Sequence, residues 1–297
     1  MKNIDFHIHL YPPEIIRDAA AISEREPYFG ALTKGKVHKW ATVDDLLLRM
    51  ERDEVERAVV GSFAFQDLGL CRLCNDYVID CVRAHQDKLD GLCVVPPLAA
   101  GFEAEIARCA EAGLVGVGEL FPDGQNIDIT DISQTWRLAK AVHEANMCLM
   151  WHIADPVGHD YVGKGSAGPK EAAAFCVNHP EVRVIFAHLG GGLWVYELMP
   201  EMRLYLSNAM YDLAAMPWLC EARALKTIEA AGLAEKFLMG TDYPILGTAR
   251  YEKLFADSGI SAATADAINR LNAVALLKRL NRVENSADPR QSRGGGA

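Results

Sequence analysis

Apolar and polar positions alternate from the start of the chain. In Asn3-Ile4-Asp5-Phe6-His7-Ile8-His9 the alternation predicts a strand with Ile4, Phe6 and Ile8 on one face and Asp5, His7 and His9 on the other. Similar short runs recur, predicting strands at 3–8, 57–63, 90–95, 115–119, 147–152, 183–188, 203–208 and 236–241. Several are almost continuously apolar, such as Val182-Arg183-Val184-Ile185-Phe186-Ala187, as expected where both faces of a strand are covered. Between them a helical period predicts helices at 43–53, 72–86, 102–112, 132–145, 170–178, 193–199 and 220–231, with more helix after 250. The clearest is 132–145, where Ile132, Trp136, Ala139, Val142 and Ala145 form one stripe and Asp131 stands at the N-cap.

Strands alternating with helices at this spacing predict a single (β/α)8 TIM barrel rather than an open doubly wound sheet. No internal repeat or Pro- or Ser-rich linker divides the chain. The barrel, with a helical C-terminus, is expected over 1–284, and a polar, Gly-rich, disordered tail over 285–297. Residues 12–42 form a long insertion after strand 1, where a βα loop usually has about 2–6 residues. It carries Tyr28, Phe29, Lys34, Lys36, His38 and Trp40, a composition that suits either the wall of a pocket or a structural cap on the barrel.

Composition narrows the partners. At 297 residues and 50% hydrophobic content the chain can bury a large core. A net charge of −10 argues against nucleic acid and anionic membrane surfaces, both of which require clustered Lys and Arg. No apolar run approaches the roughly 18 residues of a membrane span, and the N-terminus shows no basic-then-apolar leader, so a cytoplasmic protein is expected. The eight cysteines lie mostly in apolar, regular segments and read as reduced thiols. Cys71 and Cys74, followed by Tyr77, Val78 and Cys81 at helical spacing, read as the buried face of a helix rather than a redox or metal site.

In a barrel of this kind, chemistry gathers at the C-terminal ends of the strands. Here strand one ends at His7 and His9, strand four at Glu119, strand five at His152, strand six at His188 and strand eight at Asp242. Singly, each reads as a satisfied hydrogen-bonding residue. Jointly they would point into one mouth, and burying so many ionisable groups without a cation is costly, so they predict a metal site. His85, His143 and His179 sit in helices and read as structural; His159 and Lys164 follow strand five on the active side and are candidate substrate contacts.

These residues resemble the amidohydrolase superfamily. The resemblance rests on Asp5-Phe6-His7-Ile8-His9, Trp151-His152, Phe186-Ala187-His188-Leu189-Gly190-Gly191-Gly192 and Gly240-Thr241-Asp242-Tyr243-Pro244, and covers about residues 1–280. The last two segments look like the branch that includes aminocarboxymuconate-semialdehyde decarboxylase and resorcylate decarboxylases. The resemblance implies that His7, His9, His152 and Asp242 bind one divalent cation, usually zinc, with another such as Mn2+ as the alternative. His188 is then a second-metal ligand or an acid/base group, and Asp242 also carries protons. Val117-Gly118-Glu119-Leu120 is similar to the strand-four segment of TatD-type hydrolases, which implies that Glu119 can bridge two ions. The branch often forms homodimers.

Two reactions fit that resemblance. Hydrolysis of a small amide, lactone or ester is the main expectation: a divalent cation lowers the pKa of water from about 15.7 to about 7. Asp242 would take the proton of that water. His188 would stabilise the oxyanion, worth roughly 3–4 kcal/mol for one donor. The alternative is non-oxidative decarboxylation of a small hydroxyaromatic or unsaturated acid, with Asp242 or His188 protonating carbon. Arg49, Arg52, Lys34, Lys36, Lys164 and Arg250 are candidate cations for such an acid. A catalytically silent barrel would show an incomplete set of polar strand ends, and this set is complete.

Overall fold

The computed structural model describes residues 3–280. Eight parallel strands pair in sequence order: β1 Asn3–His9, β2 Val55–Gly61, β3 Leu89–Cys93, β4 Gly116–Leu120, β5 Cys148–Trp151, β6 Arg183–Phe186, β7 Ala209–Asp212 and β8 Phe237–Leu238. The eighth returns to the first through Phe6 N to Met239 O at 2.8 Å, Asp242 N to His7 O at 3.0 Å and His9 N to Tyr243 O at 2.7 Å. The result is a nearly closed TIM barrel with helices between its strands. The expected tail over 285–297 lies outside the described residues.

The insertion folds into three short helices, α1 Pro13–Arg17, α2 Ala19–Arg25 and α3 Pro27–Thr33. The outer ring continues with α4 Val43–Arg52, α5 Leu68–Ala84, α6 Phe102–Glu111, α7 Ile132–Glu144 and α8 Pro169–Asn178. After β6 come a 3-10 segment, His188–Leu198, and α9 Pro200–Tyr205; α10 Met216–Leu219 and α11 Arg223–Ala230 follow β7. Past β8 lie α12 Thr248–Ser258, α13 Ala262–Asp266 and α14 Asn272–Leu280. Among the described residues no helix is long and apolar enough to cross a membrane.

Two apolar clusters hold this together. Ile4, Phe6, Val59, Leu92, Cys148, Met150, Ile185 and Leu238 fill the barrel interior, closed by Ala273, Leu276, Leu277 and Leu280 of α14. A larger cluster packs the helices on the outside of the sheet. Cys71 and Cys74 are fully buried on α5, and all eight cysteines are free.

The structure corrects three expectations. Strand seven is 209–212, not 203–208: Pro200 at the first turn starts α9 instead, leaving Leu204 71% exposed. On α7 the buried face is Thr135, Leu138, Ala139 and Val142, while Ile132 and Trp136 are exposed. The N-cap is as expected, Asp131 accepting from Ser133 N. On β1 the alternation does not persist. A register shift between Asp5 and Ile8 leaves Ile4 and Phe6 inside the barrel but places Ile8 in the outer cluster. That bulge separates Asp5 from the two histidines beyond it.

Candidate metal centre

The polar strand ends converge. His7 and His9 close β1, Glu119 lies in β4, and His152, His188 and Asp242 follow β5, β6 and β8. Two groups of donors form. In the first, Nε2 of His7 and Nε2 of His9 are 3.0 Å apart, and Oδ1 of Asp242 is 3.7 Å and 3.3 Å from them. In the second, Oε1 of Glu119 lies 3.0 Å from Nδ1 of His152 and 3.3 Å from Nε2 of His188, with the two ring nitrogens 3.1 Å apart. The other Glu119 oxygen, Oε2, stands 3.4 Å from His7 and 3.5 Å from His9. One carboxylate therefore offers an oxygen to each group. His152 joins Glu119 and His188, whereas the resemblance implied that it shares an ion with His7, His9 and Asp242.

The donor set fits divalent cations. At metal–ligand distances near ~2.1 Å, adjacent ligand atoms sit about 3.0 Å apart at right angles and about 3.4 Å at tetrahedral angles, as these do. Protonation favours the same reading. His7 donates Nδ1–H to Asp212 Oδ2 at 2.8 Å, His152 donates Nε2–H to Lys164 O at 3.1 Å, and His188 donates Nδ1–H to Ala214 O at 3.2 Å. Each is thereby left with a lone pair facing the cluster. Nδ1 of His9 has no such partner among the described residues. Its ring instead lies over Phe121, centroids 6.4 Å apart.

Electrostatics points the same way. Burial disfavours charge on His7, but Asp212 and Glu119 outweigh it and raise its pKa well above the ordinary value. His188 is pushed up to about 9, burial again opposing and Glu119 and Asp242 prevailing. Glu119 and Asp242 are held below the usual carboxylate range, burial being overcome by the neighbouring imidazoles. The buried carboxylates favour positive charge among these rings, which a proton or a divalent cation can supply.

Local backbone geometry serves these positions. His188 and Asp242 both have left-handed backbones, φ 57° and 60°, which is uncommon outside glycine and clusters at functional sites. Gly240 packs against β1 so closely that a Cβ there would lie 2.8 Å from His7 Cβ. Gly191, at φ 58°, would place a Cβ 2.2 Å from Ala154 O, so the turn after β6 can seat on the end of β5 only as glycine.

Asp212 is the residue that sequence reasoning missed. It is fully buried at the end of β7, bonded to His7, and its Oδ1 accepts from His188 N and Ala214 N, both at 2.9 Å. Its signal was there, an acid closing an apolar run, but the displaced strand seven hid it. Of the candidate substrate residues, Lys164 meets a ligand through its backbone carbonyl, which accepts from His152. His159 is exposed with its ring 5.8 Å from that of Tyr161, and the Lys164 ammonium bonds Val157 O and His159 O of its own loop. Arg49 is buried against Asp5, and Arg52 pairs with Asp53. Arg250 lies over Trp218, and Lys34 and Lys36 are exposed.

An aromatic wall adjoins both groups of donors. Phe121 lies 5.3 Å from the His152 ring, 5.1 Å from Phe63 and 5.6 Å from Tyr28 of the insertion. Trp40 packs on Tyr11, 4.9 Å between centroids. The insertion thus furnishes part of the wall.

Comparison with known proteins agrees with the barrel fold. The family described as Amidohydrolase matches residues 4–279. No curated protein matches the sequence significantly. Among solved structures, 5-carboxyvanillate decarboxylase from Novosphingobium aromaticivorans, complexed with manganese and 4-hydroxy-3-methoxy-5-nitrobenzoic acid, superposes with a TM-score of 0.71 at 17% identity, covering 93% of this chain and 96% of that one. Dihydroxybenzoic acid decarboxylase from Polaromonas, with bound manganese and the inhibitor 2-nitroresorcinol, gives 0.66 at 17% identity, with 96% and 99% covered. A probable 2-pyrone-4,6-dicarboxylic acid hydrolase from Acinetobacter baumannii, with citric acid bound, gives 0.62 at 16% identity, with 93% and 99% covered. At these identities the likeness establishes the fold.

Proposed function

The chain belongs to the amidohydrolase family, and from that premise we propose that it is a metal-dependent decarboxylase of a small, planar, hydroxylated aromatic or unsaturated carboxylic acid. The observation that carries this reading is the placement of Phe121. Its ring adjoins His9 and His152, one from each donor group, and continues into Phe63 and Tyr28. A flat ring laid on that wall would bring its carboxylate and adjacent oxygen to the donors. The manganese-containing aromatic-acid decarboxylases among the structural neighbours support the same choice.

His7, His9 and Asp242 would hold one divalent ion, Mn2+ or Zn2+, and Glu119, His152 and His188 a second. When bound, an ion supplies positive charge that steadies negative charge on a substrate oxygen and lowers the pKa of water. Asp212, Lys164 O and Ala214 O orient three of the imidazoles. The Asp242 side chain is 17% exposed, against 2–10% for the other five, so it is the group a substrate can reach. Its carboxylate, ionised at rest, would take up a proton from solvent and pass it to the ring carbon bearing the substrate carboxylate. The carbon–carbon bond then breaks, its electron pair restores the ring, and carbon dioxide leaves. The aromatic wall excludes water from that carbon.

Hydrolysis is the second reading, favoured by Glu119. A carboxylate that offers one oxygen to each donor group would suit a pair of ions, an arrangement used for hydrolysis. One experiment separates the two. Manganese-loaded protein is incubated with a panel of hydroxybenzoic acids and of lactones and amides. Evolved carbon dioxide and the decarboxylated phenol are measured beside ring opening. Carbon dioxide with stoichiometric phenol is expected. Ring or amide cleavage without gas hands the assignment to hydrolysis.

A further inference from the structure

Asp242 reaches the donor cluster through a left-handed backbone, φ 60°, that a residue with a side chain adopts only when its neighbours hold it there. Both neighbours are held. Thr241 donates its N–H to Asp5 Oδ1 at 2.9 Å and its hydroxyl to Asp5 Oδ2 at 2.6 Å. The same hydroxyl oxygen accepts from Tyr243 N at 3.2 Å, closing the turn across Asp242. Beneath lies Arg49 of α4, 3% exposed. Its Nη1 is 3.0 Å from Asp5 Oδ2, its Nη2 donates to Thr241 Oγ1 at 3.4 Å, and its guanidinium carbon sits 4.6 Å over the Tyr243 ring. The Nη1 N–H does not align on the carboxylate, so this ion pair acts through charge rather than through a directed hydrogen bond.

We propose that Arg49 is a positioning residue for Asp242, acting through Asp5 and Thr241. Asp5 is fully buried below a pocket that already contains Glu119, Asp212 and Asp242. Without the guanidinium the carboxylate loses the cation that stands 3.0 Å from its Oδ2, and Thr241 Oγ1 loses its Nη2 donor, so the carboxylate is held less firmly against the Thr241 N–H and hydroxyl. Tyr243 simultaneously loses the cation on its ring. Asp242, released on both sides, relaxes from the left-handed turn, and its oxygen withdraws from His7 and His9. Arg49 is thus set apart from cations that bind an acid substrate: it lies behind the metal centre, sealed from the mouth. This inference rests on Asp242 being a metal ligand, and not on which reaction the enzyme performs.

The test is Mn2+ affinity of chelator-stripped protein, followed by the free-ion electron paramagnetic resonance signal, with the thermal midpoint of the stripped protein recorded beside it. Arg49→Met should weaken binding of an ion by ten-fold or more, and Arg49→Lys should recover at least part of that loss because charge is what matters. Thr241→Val, which keeps the side-chain shape and leaves Arg49 in place should Arg49→Met fail to fold, should weaken the same binding, while Thr241→Ser should not. Asp242→Asn is the control. If Asp242→Asn weakens binding but Arg49→Met and Thr241→Val bind like the parent protein, the positioning role is overturned. If Arg49→Lys binds no better than Arg49→Met, the charge-mediated role is overturned. If Asp242→Asn itself binds like the parent, the metal-centre reading fails instead.

Discussion

The carboxylate of Asp212 stands 2.8 Å from Nδ1 of His7, and the two lie at the ends of strands that are not neighbours in the sheet. The pair fixes which nitrogen of His7 carries the proton, and so which one faces the ion. Asp212 also accepts from the backbone N–H of His188, tying one member of each donor group to one acid. Asp212→Asn should therefore weaken divalent-ion binding by about 10–100-fold, the usual range for losing a partner of a liganding imidazole. Titration of chelator-stripped protein with Mn2+ measures it. Parent-like affinity in Asp212→Asn would show that the pair is merely structural.

That acid also marks where sequence reasoning ran out. The six candidate ligands were legible because each closes an apolar run, and closing an apolar run in a barrel means facing the mouth. Asp212 closes one too, in Ala209-Met210-Tyr211-Asp212, but Leu204 and Leu206 alternate as a strand would and drew strand seven six residues early. Only Pro200, a helix-starting residue, argued otherwise. The resemblance already implied Glu119 between two ions with His188 at the second; what was not legible is that His152 stands with them rather than with His7, His9 and Asp242. That placement depends on barrel closure and on the bulge in β1, which involves no glycine and no pattern break. Arg49 could be seen only as a cation on a helix; its burial against Asp5 follows from how α4 seats on the barrel.

Glu119 divides its two oxygens between the donor groups, so its removal should change stoichiometry and not only affinity. The parent protein, loaded with Mn2+ and freed of excess, should retain two ions per chain by elemental analysis. Glu119→Gln should retain no more than one, and His152→Ala should lose one ion while keeping the other at His7, His9 and Asp242. A parent protein that never exceeds one ion would rule out the two-ion arrangement.

Away from the mouth, Glu105 of α6 is a buried acid with a structural task. Its carboxylate accepts from Asn75 Nδ2 at 2.8 Å and from Arg108 at 2.7 Å and 2.9 Å, and Asn75 in turn pairs with both backbone groups of Val94 just after β3. Burial would raise its pKa, but Arg108 and Asn75 win and hold it below the ordinary value. A depressed carboxylate stabilises the fold above its unfolded pKa of about 4.3, and that contribution disappears as pH falls through the folded value. Glu105→Ala should cost about 1–2 kcal/mol near neutrality, since Asn75 Nδ2 keeps Val94 O but loses its charged acceptor and Arg108 keeps only Asp76. The deficit against the parent protein should shrink below about pH 4. Urea unfolding at pH 7 and pH 3.5 tests both; a deficit independent of pH would mean that packing, not charge, is lost.

Stripped of ions, the pocket would hold protons in their place. His7, His9 and His188 all have raised pKa values, His188 to about 9, because buried carboxylates outweigh the desolvation that opposes charge. An imidazole must shed its proton to offer its lone pair to a metal, so ion binding competes with protonation. Apparent Mn2+ affinity should accordingly climb from pH 6 to about pH 9 and then level off. Calorimetry in buffers of different ionisation heats should register proton release over the same range. Stability of the stripped protein should run the other way. A raised imidazole pKa stabilises the fold below the unfolded value of about 6.5, and that stabilisation is lost as pH rises through the folded value. Stripped protein should thus melt at a lower temperature at pH 9 than at pH 6, and saturating Mn2+ should raise the melting point more at pH 9 than at pH 6. An affinity that stays flat from pH 6 to pH 9 would remove these imidazoles from the coordination sphere, and with them the two-group metal centre.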